Sequence, residues 1–174
     1  HAYEYTNLRG RIYLCLERYG DALPWLLRWK TMIDELTDDG TREYKKRKKR
    51  LGYANYAIAC SYSYLGEHTN KDYYQTALEY VEAAIASETE PRQHYSCIYT
   101  KAELLQKLGN DEACIDLCDE LTDEESGFFP AYVLRMEAWL SLGRAQRVVD
   151  EYHRAVRIFP YHLRPYELAV QVFL

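Results

Sequence analysis

The side chains of this 174-residue chain that could carry chemistry are five cysteines, five histidines, a dense basic run and 18 tyrosines. Cys114 and Cys118 stand one helical turn apart and would offer two soft ligands to a metal. No histidine or third cysteine stands at ligand spacing, so these two, like Cys60 and Cys97, read as packing residues. With Cys15 they make an odd, widely spaced set lacking C-x-x-C, which fits reduced thiols in the cytoplasm better than a secreted disulfide framework. His1, His68, His94, His153 and His162 are scattered singly, and His153 reads as a surface or interhelix residue rather than a base. Asp38-Asp39-Gly40 lacks the alternating acidic ligands and distal glutamate of a calcium loop, so it reads as turn and cap. No nucleophile elbow, zinc-protease, phosphate-loop or dinucleotide-glycine pattern occurs. Accordingly no catalytic residue, cofactor or metal site is expected, and the chain reads as a non-enzyme.

Charge is the sharper signal. Residues 42–50 hold Arg42, Lys45, Lys46, Arg47, Lys48, Lys49 and Arg50 against the single acid Glu43, within a chain of net charge -5. Six consecutive cations point all round a helix, so the first expectation is a solvated helix end. An acidic protein surface, nucleic acid or anionic lipid are the alternative partners. No aromatic interleaves the six, which counts against single-strand binding. Residues 111–125 carry eight carboxylates and no lysine or arginine, and read as a solvated helix face and loop.

The elements that must position these groups follow from periodicity. The chain is 48% hydrophobic and 28% charged, with only 8 Gly and 5 Pro, which excludes disordered and collagen-like classes. No apolar run reaches the roughly 20 residues of a membrane span, and no leader is visible. Phe129, Tyr132, Met136, Trp139 and Leu140 recur at helical spacing, as do Val148, Val149, Tyr152, Ala155 and Val156. No segment sustains strand-like alternation; the brief Tyr-Ser alternation at 61–64 sits inside a helical stretch. Leu65-Gly66, Leu108-Gly109 and Leu142-Gly143 each end one helical stretch and precede another, while the first pair turns at Glu17-Arg18-Tyr19-Gly20. Frames set on these turns begin near 3, 52, 95, 129 and 163.

These helix–turn–helix units resemble tetratricopeptide (TPR) repeats, whose pattern runs W-x2-L-G-x2-Y, A-x3-F and P over 34 residues. In the clearest unit Tyr132 takes the Trp position, Met136 a small-residue position, Trp139 the Tyr position, Tyr152 the Phe position and Pro160 the closing Pro. Arg135 for Leu and Val148 for Ala depart from it, as do Thr6, Arg9, Asn55 and Lys101 elsewhere. The resemblance implies an all-α, right-handed superhelix of repeats at about 3–36, 52–90, 95–127 and 129–162, with a partial fifth repeat or capping helix at 163–174. The excess between the first two frames falls in 36–51, where Asp39 or Thr41 would cap one long helix reaching about Tyr64. Pro24 is expected near the first turn of its helix. The apolar end, with Val170, Val172, Phe173 and Leu174, suggests further repeats or self-association through the C-terminal helix.

By the same resemblance, first helices line a concave groove that holds a protein or peptide. The expected contacts are Asn7, Arg11, Tyr53, Tyr56, Tyr64, Tyr99, Glu103 and Glu137. The Lys, Asn and Arg clamp by which family members hold chaperone tails is not matched: Asn7, Arg11, Ala57, Ser96 and Thr100 occupy its positions. The function expected is a cytoplasmic, non-catalytic protein-interaction scaffold within a larger protein. The alternatives are a nucleic-acid-associated repeat using 42–50 or the TPR region of a J-domain-type co-chaperone.

Overall fold

The computed structural model describes residues 2–87 and 91–173, so His1, Leu174 and the end of the expected second repeat lie outside the described residues. Ten helices and no strand form among the described residues: α1 Ala2–Cys15, α2 Tyr19–Asp34, α3 Arg42–Lys48, α4 Leu51–His68, α5 Tyr73–Ile85, α6 Pro91–Lys107, α7 Asp111–Glu124, α8 Phe129–Ser141, α9 Ala145–Ile158 and α10 Arg164–Val170. They divide into two compact units, His1–Thr100 and Lys101–Leu174.

In the first unit α1 packs on α2, α2 on α4, and α4 on α5. The stripe Ala22, Leu26, Trp29 and Ile33 of α2 recurs at three- and four-residue spacing and is buried against Tyr3, Ala54, Ala57 and Ile58. Gly10 permits the close approach of α1 and α2, since a Cβ there would stand 2.9 Å from Leu26 Cδ2. The turn after α1 pivots on Glu17, not on Gly20. Glu17 takes the left-handed conformation (φ 56°), with its N–H on the Leu14 carbonyl and the Arg18 N–H on the Tyr13 carbonyl. Gly109 and Gly143 close α6 and α8 with the same paired bonds at φ 83° and 68°.

Several expectations need correction. Leu65-Gly66 does not end α4, which runs to His68. Gly66 lies inside the helix, where the missing Cβ leaves room for the Tyr74 ring; a Cβ would meet ring carbons at 2.6 Å. The long helix expected from residue 41 is two helices. Thr41 does cap α3, accepting from the Tyr44 N–H at 3.1 Å, but the chain turns at Lys49 and Arg50 before α4 begins. Pro24 is the sixth residue of α2, a turn later than expected, so the Gly20 carbonyl lacks its usual i+4 donor.

In the second unit α7 packs on α8, α8 on α9, and α10 on both α8 and α9. Leu168 of α10 joins Met136 and Val148 in one cluster, with Val172 packed beside it. The expected helix over 163–174 is shorter, ending at Val170 and leaving Val170 and Phe173 exposed.

Candidate functional site

The α3–α4 junction, α1 and α2 build a cavity of about 280 Å³ in the first unit, lined by Asn7, Arg11, Trp29, Arg50 and Tyr53. Helical spacing puts Asn7 and Arg11 one turn apart on α1. Arg50 enters because the turn between α3 and α4 ends on it. Tyr53, three residues further on α4, lays its ring edge against the Trp29 indole at 6.1 Å, and Tyr3 closes the indole's surroundings at 6.2 Å. Asn7 is 6% exposed and Trp29 1%, yet Asn7 Oδ1 and Trp29 Nε1 have no hydrogen-bond partner among the described residues. Such atoms forfeit about 1–3 kcal/mol each unless something meets them. Arg11 is exposed, and Arg50 stands 3.6 Å from Glu4. The cavity therefore has two guanidinium groups and an aromatic wall in its lining, and two of its lining residues carry a buried, unpartnered acceptor and donor.

Three of the eight expected groove residues, Asn7, Arg11 and Tyr53, thus come together. Others do not join them. The Tyr56 hydroxyl is hydrogen-bonded to Thr100 and Cys60, and burial raises its pKa. Tyr64 stacks on Tyr19 and His68. Tyr99 is half-buried on α6. Glu103 and Glu137 belong to the second unit, where Glu137 accepts from Arg164 at 2.6 Å. Trp29 was not legible as a site residue because it lies on the buried stripe of a second helix; its indole N–H, which a buried position leaves needing an acceptor, was the available signal.

The basic segment is only partly solvated. Arg47 lies over the Tyr3 ring at 4.7 Å and donates to Glu43, and Lys48 Nζ reaches the Ile33 carbonyl at 3.5 Å. Arg42, Lys45, Lys46 and Lys49 are exposed. In the acidic stretch, Glu112 pairs with Arg144, Asp119 with Arg135, and Asp111 accepts from Ser141 at 2.9 Å, while Asp116, Glu120 and residues 123–125 face solvent.

The second unit holds a polar cluster the sequence marked only as an irregularity. Arg135, 2% exposed in the position a repeat leucine would take, donates to Asp119, to Thr122 Oγ1 at 3.0 Å and to Glu151 Oε1 at 2.5 Å. Burial pulls its pKa down, and Glu151 and Asp119 more than restore it, leaving it above its ordinary value. Cys114 and Cys118 are both fully buried and hydrogen-bonded to each other, which raises the Cys118 pKa. No group of three potential metal ligands occurs among the described residues.

Residues 40–148 match a family described as "Uncharacterized protein conserved in bacteria (DUF2225)". No curated protein matches the chain. Among solved structures, "MamA RS-1 ArsTM double mutant" is similar at a TM-score of 0.74 and 14% identity, over 99% of this chain and 83% of that one. "MamA MSR-1 C2" gives 0.68 and 13%, over 98% and 84%. The "TPR2AB-domain:pHSP90-complex of yeast Sti1" gives 0.51 and 14%, over 99% and 70%. At these identities the likeness is one of fold. The paired helices, the left-handed turn residues that close them and the match over residues 40–148 make the chain an all-α protein of TPR-like helical repeats that belongs to the DUF2225 family.

Proposed function

We propose that the chain is a non-catalytic protein-interaction module that holds an extended peptide in the cavity between α1, α2 and α4, and that it works in the cytoplasm. The observation carrying this reading is the convergence of Asn7 Oδ1 and Trp29 Nε1, both buried and unpartnered, on residues that line one cavity. A peptide supplies their complements on every residue, an N–H for the amide oxygen and a carbonyl for the indole. Arg11 and Arg50 favour a carboxylate on the ligand. Tyr53 adds contact area with few torsions to freeze. No helix among the described residues is long and apolar enough to cross a membrane. A chaperone tail is not the ligand proposed, since Ala57 and Thr100, at two of the clamp positions, are buried and carry no charge.

Selection from a displayed peptide library tests this. Selected peptides should bind the wild type and lose roughly tenfold or more with Arg11→Ala or Tyr53→Ala. They should be indifferent to Tyr64→Ala. Failure to select any peptide, or equal binding by all variants, would remove the reading.

A further inference from the structure

A second cavity in the first unit, of about 400 Å³, is lined by Tyr44, Lys45, Lys48, Lys49, Leu51 and Ser87. It shares no residue with the first. Tyr44, Lys45 and Lys48 fall on one side of α3, Lys49 follows in the turn, and Leu51 opens α4. The segment's charges are divided between the two cavities at the turn itself, where Lys49 lines one and Arg50 the other. Arg47 is taken up by Glu43 and the Tyr3 ring. Lys45 and Lys49 are exposed and have no acidic partner among the described residues. Lys48 makes one long bond to a carbonyl and keeps donors to spare.

Three lysines therefore line this space together with Tyr44 and Leu51, so apolar stems and a ring stand beside cationic side chains. The Tyr44 hydroxyl adds a donor, whereas the Ser87 hydroxyl already donates to the Ala83 carbonyl at 2.9 Å. Such a site calls for negative charge on an apolar body. Ammonium groups are point charges without the planar fork of arginine, so they suit several carboxylates presented along a chain. The volume lies at the low end of ligand-holding pockets, about 300–1,000 Å³, enough for one large side chain and its neighbours. Nucleic acid fits less well, because among the described residues Tyr44 is the one aromatic lining the cavity and successive bases need successive rings.

We propose that this cavity binds an acidic peptide segment carrying one aromatic or branched aliphatic side chain. The apolar side chain enters between Tyr44 and Leu51, and flanking carboxylates pair with Lys45, Lys48 and Lys49. The proposal rests on reading the chain as a protein-binding module, at a different site from the first cavity. Fluorescence anisotropy of the full chain with a labelled Asp-Glu-Phe-Glu-Asp peptide tests it. The comparison probes are the same peptide with Ala for Phe, its amide counterpart with Asn and Gln, and a labelled oligothymidylate. The acidic aromatic peptide should bind best, more weakly as salt rises from about 50 to about 300 mM. The double variant Lys45→Glu, Lys49→Glu should weaken it roughly tenfold or more, circular dichroism confirming an unchanged fold. Tyr44→Ala should weaken it as much as removing the Phe from the peptide does, and Tyr53→Ala should leave it unchanged. Absence of binding, binding that survives both lysine reversals, or tighter binding of the oligothymidylate would overturn the proposal. Loss with Tyr53→Ala alone would also overturn it, while leaving the first cavity's role standing.

Discussion

Arg135 is the residue on which the second unit's packing turns. It occupies a leucine position of the repeat, and it is buried with Glu151, itself 8% exposed. Arg135→Leu restores the repeat pattern yet strands the Glu151 carboxylate, so urea denaturation should show a loss of about 3 kcal/mol. Changing both, Arg135→Leu with Glu151→Leu, should recover most of that. Equal stability of the single variant and the wild type would mean the cluster is not held together in solution. Glu17 is the converse case. A non-glycine residue at φ 56° is strained, so Glu17→Gly should raise stability by up to about 1 kcal/mol in the same measurement, despite glycine's usual cost. The thiols give a third check. Cys15 is exposed, whereas Cys97 is buried with its pKa pushed up to about 11 by burial and by Cys60. At pH 8 Cys97 therefore remains a thiol, and a thiol-reactive dye should label Cys15 quickly and Cys97, Cys114 and Cys118 only as the chain unfolds.

At the scale of elements, what was legible followed the repeat. Helix pairing came from apolar spacing and the Leu-Gly turns, because a 3.6-residue period and a left-handed glycine are local signals. The failures have physical reasons. Gly66 resembles the turn glycines in sequence, yet its role is steric, making room for the Tyr74 ring, and only tertiary contact distinguishes the two. The break at Lys49 and Arg50 carries no proline or glycine at those positions, so nothing local announced it. Three of the six departures from the repeat pattern, Thr6, Asn55 and Arg135, are buried polar residues at 3% exposure or less, whereas Arg9 is exposed. The candidate site was half legible. Asn7, Arg11 and Tyr53 followed from the resemblance, but Trp29 and Arg50 needed the packing of α2 and the turn after α3. Gly66→Ala therefore should destabilise by about 1–3 kcal/mol in thermal melts, although alanine is the better helix former. A neutral or stabilising result would show that Tyr74 can move aside.

At the scale of the whole chain, the account is one of binding by shape and distributed contacts, with two chemically distinct cavities in the first unit. Self-association through the C-terminal helix is a further proposal, supported by Leu163, Val170 and Phe173 being 73%, 55% and 78% exposed. Sedimentation equilibrium should then show association that Phe173→Asp weakens, and a monomer at all concentrations would remove it. The central claim, that a peptide enters the cavity between α1, α2 and α4, is tested most directly by the Trp29 indole N–H resonance in a nitrogen–proton correlation spectrum. A selected peptide should shift it strongly, as Nε1 gains an acceptor, while leaving the Trp139 indole in place. A bound peptide that leaves the Trp29 resonance unmoved would contradict the account.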